Sequence, residues 1–197
     1  MPSSASQPKA PFAARSGISK MPLSQPKATM TISMYQASAP RFANTLKNLS
    51  AILDKAQAHA SAKKIDPAVL LGSRLYPDMF PFLRQVQIAS DNAKGAVARL
   101  AGVEVPKYED NEQTFAELKA RIARTIDFVA SFKASQIDGS EERDIHLKLG
   151  STEAHWKGMQ YLLGFALPNF YFHAVTAYDI LRHNGVELGK RDFIGNP

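Results

Sequence analysis

The segment from Pro168 to Gly185 constrains the fold more than any other. Phe170, Tyr171, Phe172, Ala174, Val175, Ala177, Tyr178, Ile180 and Leu181 make it apolar almost all round a helix. Such a helix is stable only when other elements cover most of its circumference, so it is expected to be the most buried one. Pro168 suits a first turn and Gly185 a C-terminal stop. Arg182 and His183 stand in the last turn, where positive or polar groups complement exposed carbonyls.

Three further helices are written upstream to supply that cover. In Pro40 to Ala60, Phe42, Leu46, Leu49, Leu53 and Ala56 recur at steps of four and three, one apolar stripe. A second helix runs from Pro77 to Ala101 with Met79, Phe82, Leu83, Val86, Ala93, Val97 and Leu100 inward, Pro81 in its first turn and Gly102 behind it. A third occupies about Asn111 to Ala134: Thr114 and Glu117 have capping-box spacing, and Phe115, Leu118, Ile122, Ile126 and Val129 form the buried side. Asp66-Pro67 opens a short helix that ends near Gly72. Between the third and last long helices the period changes to two: Ile145, Leu147 and Leu149 alternate with His146 and Lys148, a half-exposed strand, with Met159 to Phe165 expected as its hairpin partner after Gly150. The expected fold is all-α, an antiparallel up-down four-helix bundle with a small β-hairpin before the last helix.

Composition agrees. A chain of 197 residues, 45% hydrophobic and 21% charged, suits one globular domain. The absence of cysteine excludes disulfides, thiolate zinc sites and thiol nucleophiles. No apolar run approaches the roughly 18 residues of a membrane span, so no membrane partner is expected. Lys9, Arg15, Lys20 and Lys27 account for most of the +6 net charge, and no acid appears before Asp54. Residues 1–29, rich in Ser, Ala, Pro and Lys, read as a disordered basic tail ahead of a domain at 30–197. The tail is Ser-rich and acid-free as a transit peptide is, and Met30 is an alternative start. The expected location is the cytoplasm, with organellar import through residues 1–29 left open. Four dispersed charges make no nucleic-acid footprint.

Inside the last helix Asn169, His173 and Thr176 form a polar strip, and buried polar groups require partners. The second helix offers Asp78 and Gln85, seven apart, with Arg74 one turn earlier. Two readings stand side by side. In one, Asp78, Gln85, Asn169 and His173 line an interhelical pocket for a small molecule, with Arg74, Tyr171 and Tyr178 at its mouth. In the other, the same groups form a hydrogen-bonded network that fixes helix register. In the first, His173 with Asp78 carries acid–base chemistry while Asn169 and Gln85 orient a carbonyl. His59, His146, His155 and His183 lack convergent partners in the sequence, and no HExxH, ExxH set, Gly-rich phosphate loop or GxSxG elbow is present.

The run Pro168-Asn169-Phe170-Tyr171-Phe172-His173, then Ala177-Tyr178, Leu181-Arg182 and Gly185, resembles the DinB/YfiT-like superfamily, and within it a branch of unknown function. Ser33-Met34-Tyr35-Gln36-Ala37-Ser38, Pro77-Asp78-Met79 with Gln85, and Gly189-Lys190-Arg191-Asp192-Phe193 extend the resemblance over about residues 30 to 195. It implies a four-helix bundle, often a homodimer. Many members hold a divalent metal with three histidines, and some act as thiol-dependent transferases or isomerases or as proposed hydrolases. Carried over by the spacing to Gly185, two of those positions fall on Asn169 and His173, and the second-helix position on Gln85 or Gln87. Amides are poor ligands for borderline metals, so no metal or other cofactor is expected. Three functions remain open: a metal-independent enzyme or small-molecule binder, a residual divalent-metal enzyme of DinB type, and a non-catalytic dimerising interaction or stress protein.

Overall fold

Residues 31–196 are described by a computed structural model of the chain, so the expectations for residues 1–29 lie outside the described residues. In chain order the elements are α1 (Met34–Ala37), α2 (Ala39–Lys63), α3 (Pro67–Gly72), α4 (Phe82–Ala101), α5 (Phe115–Ala130), α6 (Ala134–Ile137), β1 (Asp144–Leu149), β2 (Thr152–Lys157), α7 (Gly158–Tyr161), a π-helical turn (Leu162–Ala166), α8 (Leu167–His183) and α9 (Lys190–Ile194). The described residues are mostly helical, with a small antiparallel hairpin.

Local chemistry explains most boundaries. The Asp66 carboxylate accepts from Ala68 N–H at 2.9 Å and Pro67 fills the first position of α3. Thr114 and Glu117 cap α5 reciprocally. The second long helix begins at Phe82 rather than Pro77. Had it started at Pro77, Pro81 would lack the N–H for the first intrahelical bond and its ring would meet that carbonyl. Pro81 instead serves as N-cap, its carbonyl accepting from Gln85 N–H at 3.0 Å.

The expected return strand at Met159–Phe165 is also corrected. Gly150, at φ +61°, and Ser151 form a two-residue turn, so pairing starts at once with Leu149 opposite Thr152 and ends with Asp144 opposite Lys157. Met159–Phe165 is helical. From Gly158 the closing helix continues through the π turn into α8, with Leu167 N–H donating to Leu162 C=O five residues back. The widened turn admits Pro168, which has no N–H to contribute.

Side-chain contacts give the helix directions. Arg99 meets Tyr161, Asn92 meets Asn169 and Gln85 meets His173, so α4 and α8 are antiparallel. Phe82 packs on Phe115 and Asp91 pairs with Arg121, so α4 and α5 run the same way. Phe42 packs on Phe170 and His59 approaches Gly185, so α2 and α8 are parallel as well. Strict up-down alternation therefore does not hold. The reason is the connection 102–114, which returns along α4: Tyr108 lies under Lys94, Asp110 pairs with Arg84, and Glu112 accepts from Gln87. Extended chain of that length easily spans the roughly 30 Å of a 20-residue helix.

This return segment, with α5 and α8, makes α4 the most enclosed helix, whereas the outer side of α8 leaves Phe172 and Val175 exposed. The core joins Phe42, Leu46 and Leu53 of α2 to Val86, Val97 and Leu100 of α4, Leu118 and Ile122 of α5, and Phe170, Ile180 and Leu181 of α8. Among the described residues no helix is long and apolar enough to cross a membrane.

Candidate functional site

Three polar residues on α4, Gln85, Asn92 and Arg99, stand seven apart and therefore face the same neighbour. That neighbour is the closing helix, and two of the three meet the polar strip there. His173 Nδ1 lies 2.7 Å from Gln85 Oε1, while Gln85 Nε2 donates to the Phe80 carbonyl at 3.0 Å. A carbonyl can only accept, so the amide orientation is fixed and its oxygen faces the imidazole. His173 Nδ1 must then carry the proton, which leaves the Nε2 lone pair without a hydrogen bond among the described residues. Asn169 repeats the arrangement one turn away: its Nδ2 donates to Asn92 Oδ1 at 2.9 Å, and Asn92 Nδ2 donates to Ile88 C=O at 3.0 Å. Its Oδ1 receives no hydrogen bond from the described residues.

His173 is 9% exposed. Burial, reinforced by the positive charge of Arg84, holds its pKa below the ordinary histidine value. It is therefore neutral at pH 7, a base with one lone pair available. Phe172 stands edge-on to it with ring centroids 5.2 Å apart, and both Phe172 and Phe80, whose carbonyl holds Gln85, expose more than half their surface.

The other expected site residues are distributed differently. Asp78 is exposed in the loop before α4, and no hydrogen bond or ion pair joins it to His173. Arg74 is exposed and donates to Met79 C=O at 2.5 Å, closing its own loop. Thr176 bonds back to Phe172 C=O at 2.7 Å and is satisfied within its helix. Tyr171 lines a separate cavity of about 200 Å³ with Thr45 and Phe193. Tyr178 packs on Phe193, ring centroids 5.9 Å apart. Gln87 belongs to another network, donating to Glu112 at 2.8 Å. Sequence reasoning missed Asn92 and Arg84; the seven-residue spacing from Gln85 was the available signal for the first.

The three-histidine metal arrangement that the resemblance implies does not fit these residues. His173 is its one imidazole, with Nδ1 spent on Gln85, and the Gln85 and Asn169 amides each already serve another partner. One nitrogen and an amide oxygen are a weak donor set for a borderline cation. Among the described residues no group of three or more His, Asp or Glu is arranged to hold a metal ion.

Comparison with known proteins defines the class first. A crystal structure of a DinB family member protein from Shewanella denitrificans is 43% identical, with a TM-score of 0.75, over 83% of this chain and 92% of that one. The fold is thus DinB-like. Residues 34–194 match the model of the domain of unknown function DUF1993, and the chain belongs to that family. None of the curated proteins matches.

Proposed function

We propose that α2, α4, α5 and the closing helix form a four-helix bundle of up-down-down-up sense, and that its α4–α8 seam binds a small polar molecule on His173 without a metal. The bundle reading is supported by the contacts of α2 with α5, α5 with α4, α4 with α8 and α8 with α2. The observation that carries the site is the locked tautomer: Gln85, held by Phe80, keeps the His173 proton on Nδ1 and frees Nε2 to accept. Nε2 takes a proton from a bound donor and returns it, as a general base and then acid. Asn169 Oδ1 accepts from a hydroxyl or amide of the same ligand, and Phe80 and Phe172 flank its apolar part.

A thermal-shift screen of small hydroxy, amide and carbonyl compounds tests this, since a ligand of the native state raises the Tm by mass action. Compounds that raise the wild-type Tm are expected to lose the effect in His173→Ala and to lose it in wild type as pH falls through the lowered imidazole pKa, where Nε2 becomes protonated. Equal shifts in wild type and His173→Ala would overturn the reading.

A second reading, a dimerising module without catalysis, is favoured by one observation. Phe172 is 56% exposed and Val175 39% exposed on the same outer side of α8, and exposed apolar patches mark interaction surfaces. By light scattering, Phe172→Lys is expected to convert a wild-type dimer to monomer. A monomeric wild type at tens of micromolar, the order at which weak dimers form, removes this reading.

A further inference from the structure

We propose that His146 and His155 form a chelating site for a borderline divalent cation, copper(II), nickel(II) or zinc(II), on the open face of the hairpin. Hairpin geometry sets the distance. In a two-residue hairpin the residues flanking the turn, here Leu149 and Thr152, are a hydrogen-bonded pair, and the pairs alternate from there. His146 opposite His155 is therefore a non-hydrogen-bonded pair, the kind in which Cα atoms approach to about 4.5 Å and side chains lie closest. The imidazole centroids are 4.5 Å apart.

The surrounding face is polar. Asp144 and Lys157 pair with each other on one side at 2.7 Å. On the other stand Lys148 and Glu153, the latter with Oε2 4.0 Å from His155 Nε2. Two imidazoles suit borderline cations, with the Glu153 carboxylate a nearby negative charge rather than a ligand, whereas Mg²⁺ and Ca²⁺ require oxygen ligands. Both histidines are exposed, so water completes the coordination. The opposite face holds the platform still: Ile145 is buried, Trp156 stacks on Phe165 at 5.0 Å, and Gly158 abuts the Ser140 carbonyl. A fixed cross-strand pair loses little freedom on binding, which favours chelation.

The chain carries one tryptophan, Trp156, next to His155, and bound copper or nickel quenches a neighbouring indole. Titrating the full chain with copper(II) or nickel(II) chloride is expected to quench its emission saturably at one ion per chain, and Mg²⁺ to do nothing. His146→Asn and His155→Asn should each raise the half-saturating concentration by about tenfold or more, and His183→Asn should leave it unchanged. Retention of wild-type half-saturation in either hairpin variant overturns the site. The imidazole proton resonances of the wild type give an independent readout. Substoichiometric nickel(II) should broaden those of His146 and His155 together, and broadening confined to other histidines overturns the proposal without any variant.

Discussion

Arg121→Met is expected to destabilise the protein by about 3–5 kcal/mol, the range for removing one partner from a buried charge network. For a domain of this size that lowers the Tm by on the order of 10 °C. The Arg121 side chain has no solvent exposure, and it bonds Glu112 at 3.0 Å, Asp91 at 2.8 Å and Asp110 at 2.9 Å. The three carboxylates do not suffer equally. Asp91 keeps Lys94 at 2.9 Å, and Asp110 keeps Arg84. Among the described residues Glu112, 8% exposed, then keeps only the Gln87 amide and becomes an uncompensated buried charge. Methionine fills most of the arginine volume, so the loss measures charge rather than a cavity.

Two further readouts separate this account from a packing effect. Glu112→Gln added to Arg121→Met should recover at least about half of the loss, because it removes the orphaned charge and keeps the amide contact. The pH dependence should narrow the gap between wild type and Arg121→Met. Burial pushes the wild-type Asp110 carboxyl up, but the Arg84 hydrogen bond and the charges of Arg84 and Arg121 outweigh it and hold the pKa below the ordinary value. Its contribution is complete above that ordinary value and is lost as pH falls through the folded one. In the variant the buried Glu112 carboxylate stands without a cationic partner, an arrangement that costs most while the group is charged. Urea denaturation at pH 7 and at pH 3, below the ordinary carboxyl value, checks both. A variant within about 1 kcal/mol of wild type at pH 7, the range of surface pairs, would leave the network without its assigned role.

The same network marks where the sequence stopped being legible. Caps are local, so Asp66-Pro67 announced α3, and Thr114 with Glu117 marked the observed start of α5, which is four residues shorter at each end than the expected Asn111–Ala134. Helix direction is not local. Residues 102–114 carry no apolar periodicity, and only the bonds of Tyr108, Asp110 and Glu112 reveal that the chain doubles back along α4. Arg121 was invisible for a related reason, since beside Leu118 and Ile122 it reads as the solvated edge of a stripe. At the candidate site, His173, Asn169 and Gln85 stood out because each is polar on an apolar helix face. Asp78 depended on extending α4 through Pro81, and it separated from them once the helix began at Phe82. The return strand was misplaced because the apolar run after Gly158 is compatible with a strand or a buried helix, and pairing at the two-residue turn decides between them.

Gly158 and Gly164 supply the second large effect, with opposite signs at two glycines of one helix. A Cβ on Gly158 would lie 2.0 Å from the Ser140 carbonyl oxygen and 3.0 Å from its carbon. These are backbone atoms that cannot rotate away, and Gly158 is buried where β2 turns into α7. Gly158→Ala must therefore move the 138–143 loop or the hairpin end, at a cost of about 3 kcal/mol, the upper range for overpacking. Because Trp156 and Phe165 stack across this junction, the displacement should appear as a red shift in tryptophan emission before global unfolding. A Cβ on Gly164 meets nothing within 4 Å, in an exposed position of the π-helical turn. Gly164→Ala is expected to stabilise by about 0.5–1 kcal/mol, mainly by restricting the unfolded chain. Thermal melts of the two variants side by side test the close approach itself, because helix propensity alone favours alanine at both positions. If Gly158→Ala melted with or above wild type, the contact between the hairpin end and the Ser140 loop would not exist as described, and the fixed platform assigned to His146 and His155 would lose one of its three supports.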